Sequence, residues 1–189
     1  MFCICALAKY EEDYLDEWIQ HHLKIGFDFI VLYDNNDNSK QEDICKKYDN
    51  VLCLKIKDQP NLQFTAYNHF LKKLGENFEY FAFIDLDEFI CFNPDQPIQN
   101  IKDLIKHDYY HLSWKLMDDN DLVYQDKRPL MERFTRELKL YEYGHFDFPA
   151  NFHVKSIIKY NKNLIADHPH CFKCDYKCYN ACQEEVDGN

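Results

Sequence analysis

The pattern of apolar and polar residues alternates between strand-like and helix-like segments through the first 90 residues. Short apolar runs predict four strands, at residues 2–8, 28–34, 51–57 and 79–85. Apolar residues recur at helical spacing in residues 11–25 and 61–74, each followed by a glycine, and a shorter helix is predicted near residues 40–47. Strands that alternate with amphipathic helices indicate right-handed βαβ units. We therefore predict an α/β fold with a central, mostly parallel sheet.

The second half of the chain is less regular. Its apolar pattern predicts a short helix at residues 98–106 and strands at residues 109–117 and 152–160. Near the end, a stripe of cysteines at helical spacing consists of Cys171, Cys174, Cys178 and Cys182. Ligands strung along such a stripe cannot all reach one ion, so we predict a docked helical tail at residues 171–189 rather than a zinc site. Residues 1–170 then form the main domain.

Size and composition are those of one packed domain. The chain has 189 residues, of which 46% are hydrophobic, and this is ample for a single core. Only four glycines are present. Neither the G-x-G-x-x-G nor the G-x-x-x-x-G-K-[ST] motif occurs, which argues against glycine-rich phosphate loops.

The formal net charge of −11 restricts the possible partners. A surface this acidic repels nucleic-acid phosphates, so an anionic ligand would need a local positive element, such as a metal ion. No apolar run approaches the ~20 residues of a membrane span, and the start "MFCICALAKYEED" lacks the features of a signal peptide. Nine cysteines, an odd number, suggest reduced thiols, and we expect a cytoplasmic protein.

Acidic residues directly follow two of the predicted strands. Asp34 ends the second strand, and the stretch "YFAFIDLDEF" at residues 80–89 places three carboxylates directly after the fourth. In parallel α/β sheets, ligands bind beyond the carboxyl ends of the strands. We therefore expect Asp34 and Asp85 to lie at one edge of the sheet, beside the exit of the first strand at residues 8–10.

The Asp-x-Asp spacing in this stretch can hold a divalent cation. Carboxylates are hard oxygen ligands that suit Mn²⁺ or Mg²⁺, and such an ion neutralises a bound diphosphate. Alternation along an extended chain predicts Asp85 and Asp87 on the same side, with Leu86 packed away from them. Glu88 points the other way, and we interpret it either as a support behind the metal ligands or as a partner for a basic side chain. The alternative is that these acids only mark the end of the strand and face water.

Several segments together resemble the nucleotide-sugar-binding half of GT-A glycosyltransferases, and the similarity is greatest to family 92 and its bacterial family-2-like relatives. The stretch "ALAKYEEDYLDEWIQHHLKIGFDFIVLYDNND" followed by "FIDLDEFI" carries this resemblance, together with later pieces at residues 131–134, 154–158 and 168–170 and Trp114. The positions that match are Lys9, Glu11, Glu17, Trp18, His22, Gly26, Asp34, Asn35 and residues 85–89. Tyr10 departs from the pattern, where Asn is usual, and the chain is short for such enzymes.

The resemblance implies a metal-dependent enzyme that uses a nucleotide sugar, in particular a UDP-sugar. Its donor site would include Ala8, Lys9, Glu11, Asp34, Asn35, Gln63, Asn68, Asp85 and Leu86. Its metal, Mn²⁺ or Mg²⁺, would be bound by Asp85 and Asp87, together with a late histidine, His168 or His170. The acceptor would be a glycan or a lipid-linked sugar, and peripheral contact with the inner face of a membrane is left open.

Transfer with inversion requires a carboxylate that deprotonates the acceptor hydroxyl. The loop "MDDND" supplies Asp118, Asp119 and Asp121, of which Asp119 is the first candidate. Glu132 is a second candidate, although its neighbour Arg133 offers a salt bridge instead.

Three other classes of function compete with this interpretation. A nucleotidyltransferase would want a Gly-rich, Arg-bearing loop after the first strand, where this chain has "LAKYEED". A phosphodiesterase would want more ligands, typically histidines early in the chain. A non-catalytic sugar-binding relative would lack the base or the acceptor side.

Overall fold

The protein is described by a computed structural model that covers residues 1–93, 98–124, 127–138, 153–172 and 174–187. Within these ranges the strands are β1 (Phe2–Ala8), β2 (Phe29–Asp34), β3 (Val51–Lys55), β4 (Tyr80–Phe83), β5 (Tyr109–Ser113), β6 (Val154–Lys159), β7 (Cys178–Tyr179) and β8 (Glu185–Val186). The α-helices are α1 (Glu12–Lys24), α2 (Lys40–Cys45), α3 (Leu62–Lys73), α4 (Ile101–Leu104) and α5 (Leu130–Arg133), and a 3₁₀ turn spans Gly75–Asn77.

One mixed sheet joins these strands in the order β3-β2-β1-β4-β6-β5-β7-β8. The first four strands along the chain run parallel to one another, as their alternation with helices predicts. β6 pairs antiparallel with both β4 and β5, so the second half of the sheet is mixed. Antiparallel neighbours need no crossover helix, which explains why the later sequence lacks the βαβ pattern. The predicted α/β class is confirmed.

Alternating side chains on the strands build a separate hydrophobic core on each face of the sheet. On one face, β1 packs against α1 through Leu15, Trp18 and Ile19, and α2 and α4 join the same cluster. On the other face, aromatic residues of β4 pack against α3, and the Tyr67 and Phe83 rings stack with centroids 3.9 Å apart. β4 is therefore fixed from both sides up to the residue at which the acidic turn begins.

The predicted C-terminal helix is wrong. In the described part of residues 171–187 the backbone is extended or turned, and Tyr179 of β7 pairs in parallel with Tyr110 of β5. Cys178 is buried, and the Phe172 ring packs against the rings of β4. The helical cysteine spacing was misleading because β5 offers an unpaired edge whose backbone groups the tail satisfies. The tail thus belongs to the same sheet as the rest of the chain.

Smaller differences concern the ends of elements. The helix predicted at residues 98–106 is a single turn, α4, and the strand predicted at residues 109–117 ends at Ser113. Phe152, the first residue of the strand predicted at residues 152–160, lies outside the described residues. No helix among the described residues is both long enough and apolar enough to cross a bilayer.

Candidate functional site

The carboxyl ends of the parallel strands bring the predicted donor-site segments together. Ala8 of β1 lies in register with Asp34 of β2, and Cys5 lies in register with Phe83 of β4. Asp85 follows β4 by two residues, so Asp34 and Asp85 lie at the same edge of the sheet, as the sequence predicts. The loop that leaves β1 opens at this edge as well.

Asp85 is held by two side chains from different elements. Gln63 of α3 donates from Nε2 to Asp85 Oδ1 at 3.2 Å, and Lys155 of β6 donates from Nζ to Asp85 Oδ2 at 2.7 Å. Gln63 is also linked to the Tyr67 hydroxyl at 3.1 Å. The carboxylate keeps 36% of its surface exposed, whereas the Lys155 side chain is only 5% exposed. Asp85 is therefore oriented from behind and remains open to a ligand in front.

Glu88 is the second partner of Lys155, which confirms that it pairs with a basic side chain. It does not point away from Asp85 as predicted, because both carboxylates contact the same ammonium. Its Oε2 lies 3.3 Å from Lys155 Nζ and accepts a hydrogen bond from the Asp85 N–H at 3.1 Å. Its backbone carbonyl accepts from Trp18 Nε1 at 2.8 Å, which ties the acidic turn to α1. Burial raises the pKa of the Glu88 carboxyl to about 7, and the negative charge of Asp85 acts in the same direction.

Asp87 is exposed and Leu86 is fully buried in the core, as predicted, but the segment is a turn rather than an extended chain, since the Glu88 N–H donates to the Asp85 carbonyl at 3.2 Å. Leu86 therefore packs inward and contributes to the site only through its backbone. The pKa of Glu11 is raised, first by burial and then by the charges of Asp87 and Asp85. Three carboxylates from two loops thus lie within electrostatic range of one another, an arrangement that a cation would relieve.

The chemistry of these carboxylates fits a hard divalent cation, but the ligand set is not preassembled. Among the described residues, no three His, Cys, Asp or Glu side chains are arranged to hold a metal ion. Asp85 and Asp87 would therefore supply only part of the shell, and diphosphate oxygens and water would complete it.

Asp34 is buried and fully engaged with protein groups. It accepts from Lys55 Nζ at 2.5 Å, from the Asn36 N–H at 2.8 Å and from Gln41 Nε2 at 2.8 Å. Its exposed fraction is 0%. Asp34 thus organises the loop after β2 in this structure, and a ligand would meet the loop rather than this carboxylate.

Asn36 is a residue that sequence reasoning missed. It is fully buried, and its Oδ1 accepts from the Tyr10 N–H at 2.8 Å, which joins the loops after β1 and β2. Its neighbour Asn35, predicted in the donor site, donates its N–H to the Ala8 carbonyl at 2.9 Å and is half-buried. A signal for Asn36 was available, since Asn is favoured where a side chain must bond to neighbouring backbone.

The loop after β1 is turned by Tyr10, whose φ of 60° lies in the left-handed region. The carboxylate of Glu11 accepts from the Lys9 N–H at 3.0 Å and closes this turn. Lys9 and Tyr10 are both exposed, with the Lys9 ammonium 5.5 Å from the centre of the Tyr10 ring. The turn therefore presents one cation and one aromatic ring at the same edge as Asp85.

Asn68 has a different contact from the one predicted. Its side chain donates to the Ala166 carbonyl at 2.8 Å and accepts from the Ala166 N–H at 3.1 Å. Asn68 thus holds the segment that leads into the "HPH" sequence, and of the two predicted α3 residues only Gln63 contacts Asp85.

The two predicted histidines lie near the Asp85 side of the sheet. The His170 ring packs edge-on against Trp114 and stacks on His153, with centroids 5.3 and 5.2 Å apart. Burial and then the Lys155 charge lower the pKa of His170 to about 4, while Asp85 acts in the opposite direction. His168 is exposed, and its Nδ1 accepts from the His170 N–H at 3.2 Å. Metal ligation by either ring stays a prediction.

A cleft of about 740 Å³ opens beside these histidines at the ends of β5 and β6. Its lining residues include His111, Ser113, His153, Asp167, His168 and His170. Because β5 runs parallel to β4 and β6 begins next to it, this cleft adjoins the carboxyl edge that carries Asp85. The two halves of the sheet therefore meet at one concave region.

The candidate bases lie on a loop that Arg136 holds. Asp118 and Asp121 both form ion pairs with Arg136, at 2.5 and 3.0 Å, and the bonded guanidinium lowers the pKa of Asp118. Asp119 accepts from the Asp121 N–H at 3.0 Å and is exposed. A carboxylate paired with an arginine is a poor proton acceptor, so Asp119 is the best placed of the three. Glu132 is exposed on α5.

Glu17, one of the positions that carries the resemblance, holds α5 in place. Its carboxylate accepts from the backbone N–H groups of Leu130 at 2.8 Å and Met131 at 3.4 Å. These are unsatisfied donors of the first helical turn. The "MERF" segment is thus fixed to α1 across more than a hundred residues.

The Asp-x-Asp turn at the carboxyl edge of an α/β sheet agrees with the glycosyltransferase class that the sequence resembles. The chain belongs to glycosyltransferase family 92, because the model of that family matches residues 1–184. A family 92 protein of Oryza sativa subsp. japonica is 28% identical over 102 residues, covering 52% of this chain and 18% of the relative. One of Arabidopsis thaliana is 26% identical over 127 residues, covering 62% of this chain and 21% of the relative.

The chain spans about a fifth of the length of these curated relatives. Among solved structures, HddC from Yersinia pseudotuberculosis is similar with a TM-score of 0.48 and 13% identity, covering 90% of this chain and 81% of that one. Residues 1–349 of S. aureus TarS give a TM-score of 0.46 and 18% identity, covering 60% of this chain and 35% of that one. These scores are too low to carry an argument about activity.

Proposed function

We propose that this protein is a glycosyltransferase that moves a sugar from a nucleotide-sugar donor, a UDP-sugar, to a glycan or lipid-linked acceptor. The observation that carries the proposal is the Asp85 carboxylate, which is held in place by Gln63 and Lys155 and open at the carboxyl edge of the sheet. Membership of family 92 supports the reaction class.

The donor's diphosphate needs positive charge at this edge. We propose that Asp87 and Asp85 bind Mn²⁺ or Mg²⁺, which supplies charge neutralisation of the diphosphate. Asp87 is exposed and so can reach an ion without rearrangement of the core. His168 or His170 is the proposed additional ligand, since both lie on the cleft that adjoins this edge.

The acceptor is proposed to enter through the cleft beside β5 and β6. Its hydroxyl would be deprotonated by Asp119, the loop carboxylate that is not paired with Arg136 in the described contacts. Attack from the face opposite the leaving diphosphate would invert the anomeric centre.

The nine cysteines are all free, which is in keeping with a reducing compartment. We therefore propose a cytoplasmic location. A lipid-linked acceptor would bring the protein to the inner face of a membrane.

The proposal is tested by a donor screen. Nucleotide release is measured from a panel of UDP- and GDP-sugars, each with and without Mn²⁺ and with a mixture of glycan and glycolipid acceptors. We expect release from a UDP-sugar only when Mn²⁺ is present. Release of pyrophosphate from a nucleoside triphosphate, with no turnover of any nucleotide sugar, would instead identify a nucleotidyltransferase.

A further inference from the structure

The Lys155 side chain lies between the acidic turn at Asp85 and the Trp114 ring beside the cleft. Its side chain is 5% exposed, and its Nζ lies 2.7 Å from Asp85 Oδ2 and 3.3 Å from Glu88 Oε2. The same ammonium lies 5.8 Å from the centre of the Trp114 ring, on the cleft side. A buried cation therefore stands directly behind the carboxylate that faces a ligand.

This ammonium acts with opposite sign on the two expected ligands. A divalent ion bound at Asp85 would be repelled by the ammonium, which lies 2.7 Å from that carboxylate. A diphosphate at the same edge would be attracted. Because Lys155 is buried, salt and water screen these effects only in part.

We infer that Lys155 biases the site toward the nucleotide and against the free metal ion. Its fixed charge weakens the binding of the metal alone and supports the binding of the nucleotide alone. The inference rests on the proposed function, since it assumes a metal and a nucleoside diphosphate at Asp85. In this role Lys155 is a positioning residue that acts through Asp85 and its own charge.

The test measures two affinities in Lys155→Met, in which the side chain keeps its volume and loses its charge. Mn²⁺ alone is titrated by calorimetry, and UDP alone is titrated in the presence of EDTA. We expect the variant to bind Mn²⁺ about tenfold more tightly and UDP about tenfold more weakly than the original protein. Opposite shifts are the decisive result, because a merely structural loss would weaken both.

Three further variants sharpen the test. Lys155→Arg keeps the charge, so both affinities should lie closer to those of the original protein than to those of Lys155→Met. Lys159→Met removes the same charge from the same strand, where Lys159 pairs with Asp108 at 3.0 Å, and should change neither affinity. Lys155→Gln is neutral but can still donate hydrogen bonds to Asp85, so it replaces Lys155→Met if that variant does not fold.

The outcomes separate this inference from the proposed function. If the original protein binds UDP with Mn²⁺ but both affinities of the neutral variants move in the same direction or not at all, the electrostatic role of Lys155 is wrong and the function stands. If the original protein binds no nucleotide with Mn²⁺, the proposed function fails, while the Mn²⁺ titration of the variants still measures the effect of Lys155 on the metal. If both neutral variants unfold, tighter binding of Mn²⁺ alone than of UDP alone by the original protein overturns the inference.

Discussion

Asn68 and Ala166 are joined by two hydrogen bonds, one in each direction, across 98 residues of sequence. The Asn68 side-chain amide donates to the Ala166 carbonyl and accepts from the Ala166 N–H. It thus forms the pair of hydrogen bonds that the backbone of a neighbouring strand would otherwise form. This contact fixes the segment before His168 and His170 against α3. The position of the "HPH" sequence thus depends on one side chain of a helix.

We predict that Asn68→Ala lowers the free energy of unfolding by about 1–3 kcal/mol, because the Ala166 backbone groups lose their partners. Chemical denaturation measures the change, and limited proteolysis should cut the segment around residues 164–171 faster. Asn77→Ala is the control, since the Asn77 side chain makes an exposed hydrogen bond to the Leu74 carbonyl. Equal loss of stability in both variants would contradict a stabilising role of the Asn68–Ala166 hydrogen bonds.

Tyr10 carries a backbone strain that asparagine would relieve. A non-glycine residue at φ near 60° costs about 1–2 kcal/mol, and asparagine tolerates this region better than tyrosine. We expect Tyr10→Asn to raise the melting temperature, with a gain of up to about 1 kcal/mol. Tyr10→Ala removes the same ring without the left-handed preference and serves as the control. A Tyr10→Asn variant no more stable than Tyr10→Ala would show that the turn is not strained.

We predict that His22 makes the stability of the fold sensitive to acid. Its Nδ1 lies 2.9 Å from the Trp18 carbonyl and its Nε2 accepts from the Ile90 N–H at 3.3 Å, which defines the neutral ring. Burial lowers the pKa of His22 to about 3 from its ordinary 6.5, with the nearby His21 as a smaller cause. The unfolded chain therefore binds more protons than the folded one between these values, and stability falls as the pH drops through this window.

Between these two pKa values, His22 alone changes the free energy of unfolding by up to about 1.4 kcal/mol per pH unit. Denaturation curves collected from pH 7 to pH 4 measure it, and His22→Gln should have a shallower dependence because glutamine does not titrate. An unchanged slope in His22→Gln would assign the acid sensitivity to other groups.

Asp87 is predicted to bind the metal without supporting the fold. Because its side chain is exposed, Asp87→Asn should leave the melting temperature unchanged and abolish the Mn²⁺-dependent part of UDP binding. Asp103→Asn, another exposed aspartate on α4, is the matched control. Unchanged UDP affinity of Asp87→Asn in calorimetry with Mn²⁺ present would remove Asp87 from the site.

The sequence predicts those features that depend on local pattern. The β4 run and the acids that follow it are adjacent in the chain, so the placement of Asp85 at the carboxyl edge could be read directly. The partner of Asp85 and Glu88 could be anticipated only as "a basic side chain", because Lys155 lies on a strand about 70 residues away and several lysines were equally suitable. Local pattern carries no information about which distant strand docks beside β4.

The incorrect predictions for the tail and for Asp34 have the same physical origin. The cysteine spacing of the tail fits a helix well, yet the open edge of β5 recruited Tyr179 into a strand, since tertiary pairing overrides weak helix propensity. Asp34 was expected to face a ligand because it ends a strand on the correct side. The structure turns it inward, where Lys55 and Gln41 satisfy it. Both outcomes depend on the hydrogen-bonding groups that another element of the fold places beside the residue. A sequence pattern over a few residues carries no information about those groups.

During synthesis on the ribosome, Asp85 appears before its partner Lys155, which lies about 70 residues later in the chain. Every carboxylate of the acidic turn is synthesised before β6, and so are the strands β1–β4 that position them. The ammonium that pairs with Asp85 and Glu88 follows only with β6. A nascent chain that has reached β5 therefore carries the full negative charge of the turn without its counter-charge, and docking of β6 beside β4 is the event that completes both the sheet and its electrostatics.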